Sequence, residues 1–388
     1  MSEFKRVEKE MFPNSRATIG TKGREKTQSD DQFRTEFQRD VHRIIYSQSF
    51  RRLRHKTQVF YFPQNDHVST RMDHVLFVAS AARTVARCLG LNEDLAEAIG
   101  LAHDIGHAPF GHQGEAFLNE IISKHSALSQ YIQSFSHEVY GLRVVDKIAK
   151  RDREKPGLNL TWEVRDGIIS HCGEDFTDCK LIPGSKDKKL CEIKNKGDAG
   201  LPATLEGCIV RLIDKVAYCG KDIEDAIAAE VIKESDVPDP IVEKLGKTNG
   251  KIIGTFLESI IKESYDKGYI AISREYGDLL HSMIDFNREH IYHSDKSQGY
   301  RKQAGQTIKL LFADLLEIYR KTSKFQDFQE DYKTTKVHKF FAEYVKDMQG
   351  VYSDSDPDEL VVLDFIAGMT DNFVVRSFQE LFIPQATI

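Results

Sequence analysis

From Val41 onward the apolar residues recur with helical spacing, and alternation of the strand kind is almost absent. Val75, Val78, Ala79, Ala82, Val85, Ala86 and Leu89 repeat at intervals of three and four, which predicts one buried helix face with Gly90 as its stop. Asn92 is suited to cap the next helix, whose apolar face holds Leu95, Ala98, Ile99 and Ala102. That helix is expected to run to His103-Asp104 and break at Gly106. A loop containing Pro109 and Gly111 follows, and a further helix is predicted from about Glu115. Leu205, Ile209, Leu212, Val216, Ile223 and Ile227 mark a long helix. Ile308-Lys-Leu-Leu-Phe-Ala-Asp-Leu-Leu-Glu317 is a strongly amphipathic stretch.

Three stretches interrupt this periodicity. Residues 1–40 are polar and read as an N-terminal extension, an arm or poorly packed segment. Residues 172–203 are rich in Gly, Pro, Lys and Asp and read as an insertion loop, with a hairpin as one form it can take. Glu234-Ser-Asp-Val-Pro-Asp-Pro240 reads as a linker. The expected fold is all-α: a helical core over 41–232, the insertion at about 172–203, and a C-terminal helical region over 241–388.

Composition narrows the class. With 388 residues, 40% hydrophobic and 29% charged, the chain matches ordinary soluble proteins and can bury a large core. It has no run of 18 apolar residues and no apolar segment of the secretory kind near its start, so a cytoplasmic protein with no membrane contact is expected. The six cysteines include no CxxC pair and read as reduced thiols. His171, Cys172, Cys179 and Cys191 lie close along the chain, but their irregular spacing favours buried or loop thiols over a zinc site. A net charge of −6 argues against wholesale coating of nucleic acid. Residues 1–60 nevertheless hold 14 Lys/Arg against 8 Asp/Glu, densest over Arg51–Lys56. That run is either a solvated basic face or a surface that attracts phosphates.

The histidines point to chemistry. Nine of the fourteen lie between His42 and His137, a crowding that a merely structural helical region has little use for. At the centre, His103 and Asp104 offer an imidazole nitrogen and a carboxylate oxygen to one ion. This set suits Mn, Fe, Co, Zn or Mg with water completing the shell. His74 on the preceding helix and Asp214 on the later long helix bring three helices toward the same ion. Arg71 shares a helix face with His74, and Asp214, Tyr218 and Asp222 line one face of theirs.

These residues match the H…HD…D signature of HD-domain phosphohydrolases. The surrounding text is more specific. Phe50-Arg-Arg-Leu-Arg-His-Lys-Thr-Gln-Val59, Arg71-Met-Asp-His74, His103-Asp-Ile-Gly-His-Ala-Pro-Phe-Gly-His-Gln-Gly-Glu115, Ser136-His-Glu138, Asp214-Lys-Val-Ala-Tyr218 and Asp364-Phe-Ile-Ala-Gly-Met-Thr-Asp371 together resemble the dGTP triphosphohydrolase branch.

The resemblance implies an all-α HD-domain enzyme that hydrolyses a dNTP to deoxynucleoside and intact triphosphate, with water attacking the α-phosphorus. It implies one divalent ion per site, Mn²⁺ or Mg²⁺ first, with Fe, Co, Ni and Zn as alternatives, held by His74, His103, Asp104 and Asp214. His112 and Glu115 resemble the catalytic His/Glu pair. His107 and His137 match site histidines that contact phosphate or orient water. Arg71 and Lys215 resemble the phosphate-binding cations, and Gln58, Tyr218 and Asp222 the residues that meet the sugar. Relatives of this kind often carry a His just before the residue matching Asp222. Here Lys221 stands there, which would alter the substrate range or leave the site more basic. A homo-oligomer, a hexamer by the resemblance, is implied, with the C-terminal region completing the nucleotide site and the oligomer contacts. A dNTP activator and single-stranded DNA are further partners it allows. Two alternatives remain at this point: another HD phosphohydrolase, a nucleotidase or phosphodiesterase, which would not need Gln58, Tyr218 and Asp222 together; and a protein that senses dNTPs or single-stranded DNA, which would not need the catalytic set.

Overall fold

A computed structural model describes residues 8–58, 69–151, 156–172, 179–322 and 335–384. The chain is almost entirely helical, and ten helices position the site. These are α1 (Glu36–Tyr46), α2 (Arg71–Cys88), α3 (Glu93–Ala102), α4 (Gly111–Lys124), α5 (His137–Arg143), α6 (Trp162–Ser170), α7 (Leu205–Ala228), α8 (Asp295–Lys321), α9 (Asp358–Ala367) and α10 (Asp371–Phe382). Their limits follow local chemistry. Thr70 and Asp73 form a reciprocal cap at the start of α2, Gly90 takes a left-handed φ of 67° just past its end, and Asn92 accepts from Asp94 N and Leu95 N to open α3. Helices α2, α3 and α7 pack on one another, α5 lies against α6, and α8 packs on α4, α9 and α10. One apolar core runs unbroken from Phe37 to Val374. No helix among the described residues is long and apolar enough to cross a membrane.

The structure corrects four expectations. The described part of the N-terminal stretch is no loose arm. Phe12 is buried, and Thr18 donates from its backbone and its hydroxyl to Glu206 (2.9 and 2.8 Å). Glu206 also accepts from Asn92 N (3.1 Å), so a fully buried carboxylate ties this segment to the starts of α3 and α7. Arg24 reaches Glu36 (2.7 Å) and Asp40 on α1. A polar knot of this kind leaves no periodic trace in the sequence.

The insertion has no hairpin of its own among the described residues. Its strand Lys180–Leu181 pairs antiparallel with Ile270–Ala271, far along the chain, and residues 173–178 of the stretch lie outside the described residues. The expected linker folds as a short turn, Glu234–Asp236, followed by a helix, Asp239–Leu245, that buries Ile241 and Leu245. Finally, α4 begins at Gly111 rather than at about Glu115, which places His112 in its first turn.

Two glycines set helix separations at the site. A Cβ on Gly100 would lie 2.7 Å from Ala79 Cα, so glycine there lets α3 close onto α2. A Cβ on Gly106 would lie 2.1 Å from the His137 carbonyl oxygen and 2.3 Å from Gly141 N. Gly106→Ala must therefore push α5 away. It is expected to lower stability by about 1–3 kcal/mol and to reduce turnover further, because His137 rides on α5. A denaturant midpoint and a turnover number both matching wild type would show that this contact carries no strain.

Candidate metal centre and active site

The four residues expected to hold an ion converge from three helices. His74 projects from the first turn of α2, His103 caps the end of α3, Asp104 follows it, and Asp214 lies within α7. His103 Nδ1 lies 2.7 Å from the Gly100 carbonyl oxygen, an acceptor, so Nδ1 carries the hydrogen and Nε2 presents its lone pair. His74 Nε2 is 2.8 Å from Asp214 Oδ1 and 3.3 Å from His103 Nε2. His103 Nε2 is 3.5 Å from Asp214 Oδ1 and 3.6 Å from Asp104 Oδ1, and His74 Nε2 is 3.9 Å from Asp104 Oδ2. Adjacent donors around an ion with bonds of about 2.1 Å stand about 3.0–3.4 Å apart, so His74, His103 and Asp214 fit a single divalent ion with little movement, and Asp104 stands beside them.

Electrostatics favours the same reading. Burial resists charge on Asp104, yet the imidazoles of His107 and His103 and the Arg71 guanidinium hold its carboxyl well below the usual carboxylate range. Burial likewise opposes ionisation of Asp214, and His103 and His74 more than offset it. Both carboxylates are thus favoured in the anionic form, which is the state a cation needs.

A second cluster adjoins the first. Glu115 Oε1 lies 2.8 Å from His107 Nδ1, 3.0 Å from His137 Nδ1 and 3.6 Å from His112 Nδ1. His107 and His137 stack, with ring centroids 3.7 Å apart, and are buried. The His112 side chain is 76% exposed, so it forms the open side of the cluster. Expectation paired Glu115 with His112 alone; instead one carboxylate serves three imidazoles and stands nearer to the other two. His107 also links the clusters, with Nε2 3.0 Å from Asp104 Oδ1.

The remaining expected residues border these groups. Arg71 donates Nη1 to Asp104 Oδ2 (2.7 Å), and its Nη2 faces Gly111. Lys215, Tyr218 and Asp222 line α7 beyond Asp214, the first two half-buried and the third buried. Asp222 Oδ2 accepts from the Tyr292 hydroxyl (2.5 Å), a partner the sequence reading missed because it lies seventy residues away. Asp222 Oδ1 and Gln58 Oε1 are buried without a hydrogen bond among the described residues. Burial pushes the Asp222 carboxyl up to about 7, the Tyr292 hydroxyl opposing and the Asp225 charge adding. Lys221 does not make the site more basic: it pairs with Glu224 (2.6 Å) and Asp225 (3.1 Å).

The C-terminal motif has a mechanical place. Asp371 accepts from Thr57 N (2.9 Å), Thr57 Oγ1 (2.8 Å) and Phe110 N (2.9 Å). Lys56, buried, donates to the carbonyl oxygens of His107 and Ala367. Asp364 accepts from Arg143 on α5 (2.6 Å) and from the Tyr352 hydroxyl (2.9 Å). The start of α10 and the end of α9 therefore hold both ends of the loop that carries His107 to His112.

Comparison with known proteins agrees with this architecture. The HD domain model matches residues 71–219, and the phosphohydrolase-associated domain model matches residues 270–380. The chain is 35% identical over 374 residues to a deoxyguanosinetriphosphate triphosphohydrolase-like protein of Caldanaerobacter subterraneus subsp. tengcongensis, covering 96% of this chain and 93% of that one. Similarly named proteins of Desulfatibacillum aliphaticivorans and Clostridium tetani are 35% and 33% identical. The first match covers 94% of this chain and 92% of the relative, the second 100% and 98%.

Proposed function

This chain belongs to the HD-domain phosphohydrolases, in the deoxyguanosinetriphosphate triphosphohydrolase-like family, and from that premise we propose that it hydrolyses a deoxynucleoside triphosphate to deoxynucleoside and inorganic triphosphate. The observation that carries the reading is the contact between the two clusters. Asp104, among the candidate ion ligands, meets His107 of the imidazole–Glu115 group at 3.0 Å. An ion and a proton-transfer group thus face the same reacting phosphorus.

His74, His103, Asp104 and Asp214 would hold one divalent ion, which when bound polarises a phosphate oxygen and makes water more acidic. The protein's own groups do the rest. Arg71 and Lys215 balance the roughly four negative charges of a nucleoside triphosphate, the arginine by a planar fork matched to phosphate. His107 and His137 address the α-phosphate from the buried side. Glu115 fixes their orientation and that of His112. His112, on the open side, removes a proton from the attacking water or delivers one to the departing 5′-oxygen. Cleavage there releases the triphosphate intact.

Sugar choice rests on α7. The unpaired acceptors Asp222 Oδ1 and Gln58 Oε1 are matched to the 3′-hydroxyl. Tyr218, one turn before Asp222, fills the space a 2′-hydroxyl would need. Tyr218→Ala is expected to admit ribonucleotides at a rate approaching that for deoxynucleotides, with weaker dNTP turnover. Wild-type protein that hydrolysed GTP as readily as dGTP would show this steric argument to be wrong.

The reading is tested by incubating purified protein with each dNTP and rNTP, with Mn²⁺ or Mg²⁺, and separating triphosphate from pyrophosphate and phosphate. Triphosphate and free deoxynucleoside in equal amounts are expected. Release of the terminal phosphate, or turnover of a phosphodiester instead, would move the protein to another HD phosphohydrolase chemistry.

A further inference from the structure

The basic run at Arg51–Lys56 has one member that the reaction proposed above does not use. Arg51, Arg54 and His55 are exposed, and Lys56 is buried against the loop that carries His107. Arg52 turns inward instead, half-buried, at the end of the short helix Gln48–Arg52. It lines a cavity of about 370 Å³ between that helix, the helix Lys336–Asp347, α9 and α10. Its Nη2 donates to Ser49 Oγ (2.9 Å), and a Cβ on Gly368 would lie 3.3 Å from its Nη1. Among the described residues it forms no ion pair. Burial pushes the guanidinium below its ordinary value, and the hydroxyls of Tyr140 and Tyr344, not a carboxylate, oppose this.

The rest of the wall is aromatic. Phe340 and Tyr344 share one face of the helix Lys336–Asp347, Phe365 comes from α9 and Phe373 from α10. The rings touch one another, with centroids 5.2 Å apart for Tyr344 and Phe365 and 5.6 Å for Phe340 and Phe373. Phe340 is 48% exposed, an open apolar edge. A guanidinium without a counter-charge on such a wall is costly, and a carboxylate matches its planar fork with two parallel hydrogen bonds. A flat ring attached to that carboxylate would lie against the aromatic residues. The rim limits the charge the cavity can take. Glu343 and Asp347 line it beside Arg52 and Lys150, and Lys150 already pairs with Asp347 (3.2 Å). A nucleoside triphosphate, with roughly four negative charges, meets as much repulsion there as attraction. A single negative charge at Arg52 does not. The volume lies at the small end of the range for small-molecule sites, about 300–1,000 Å³.

We propose that this cavity binds a small aromatic monocarboxylate, its carboxylate forked on Arg52 and its ring against Phe340, Tyr344 and Phe373. The ligand thereby joins Arg52 to α9 and α10, the helices on either side of the Ala367 carbonyl and Asp371 that fasten the loop from His107 to His112. None of its contacts belongs to the ion quartet or to the residues assigned to the nucleotide. The site does not depend on which nucleotide is the substrate.

The test titrates the full chain with 2-naphthoate, followed by its own fluorescence, beside the neutral 2-naphthamide. Saturable binding of naphthoate with a Kd of about 1 mM or below is expected for a ligand of this size. The amide should bind at least about tenfold more weakly. Arg52→Gln should weaken naphthoate by about tenfold or more and leave the amide unchanged. Phe340→Ala, at a half-exposed position, should weaken both ligands about threefold, and Glu343→Gln should tighten naphthoate about twofold. These two variants carry the test if Arg52→Gln fails to fold. Inorganic triphosphate, which the proposed reaction places against Arg71 and Lys215, should not displace naphthoate. No saturation up to about 10 mM naphthoate overturns the proposal. So do equal affinities for naphthoate and the amide, or displacement by triphosphate. Full naphthoate affinity in folded Arg52→Gln, or in both Phe340→Ala and Glu343→Gln, places the ligand elsewhere and overturns it as well.

Discussion

Asp214→Ala is expected to abolish hydrolysis, with turnover down by about 10⁴ or more, and to strip the ion from the quartet. Its Oδ1 stands 2.8 Å from His74 Nε2 and 3.5 Å from His103 Nε2, so it is the anionic corner both imidazoles face. Asp104→Ala should abolish activity equally but cost more stability. Asp104 also holds the buried Arg71 guanidinium at 2.7 Å and His107 at 3.0 Å. Removing one partner of a buried ion pair costs about 3–5 kcal/mol, because the other charge is left uncompensated. Asp214 is held between the imidazoles of His74 and His103 instead. Metal analysis and denaturant unfolding separate the two effects. Full metal occupancy in both variants would remove these residues from the ligand set.

His112→Ala is expected to lose about 10²–10⁴ in turnover, or roughly 3–5 kcal/mol of transition-state stabilisation, with little change in nucleotide affinity or metal content. Its imidazole is exposed on the open side of the Glu115 cluster, whereas His107 and His137 are stacked and buried. An exposed group can exchange a proton with solvent between turnovers, and a stacked one cannot do so without moving. Glu115→Gln divides the cases further. The carboxylate touches His107 and His137 more closely than His112, so its loss should disturb all three rings. The fall should therefore match or exceed that of His112→Ala. This reverses the order that a simple His112–Glu115 pair would give. Single-turnover rate beside measured dGTP affinity decides. Were His112→Ala to lose affinity and keep its rate, His112 would be a binding residue, and the proton would have to travel through His107 or His137.

The helices were legible because each buries one apolar face, and three- and four-residue spacing records that directly. The Gly90 stop after α2 and the Asn92 cap of α3 were legible for the same local reason, whereas the Thr70–Asp73 cap of α2 was not anticipated. The meeting of His74, His103 and Asp214 could be anticipated because such residue types are chemically unusual inside helices. What escaped was long-range. Nothing near Asp222 announces Tyr292, and nothing near Glu206 announces Thr18 and Asn92; these pairs meet only after the core has formed. The contact of Cys172 with His137 was not legible from spacing along the chain, because His137 lies on another helix. The shared use of Glu115 was hidden for a related reason. Three residues of separation from His112 suggested a pair, while stacking of His107 on His137 brings two further rings to the same oxygen.

The fastening of the His107–His112 loop by Lys56, Ala367 and Asp371 also orders events during synthesis. The last candidate ion ligand, Asp214, leaves the ribosome long before these fasteners do: Asp371 is roughly 160 residues further along, some 8–30 s at ordinary elongation rates. In that interval the nascent chain can gather its ion ligands, but Lys56 still lacks the Ala367 carbonyl, and Phe110 N and Thr57 still lack their acceptor. A chain stalled short of Leu363 is therefore expected to take up metal without turning over nucleotide. Completion of the polypeptide would then be the event that switches the activity on, leaving unfinished copies silent toward the nucleotide pool.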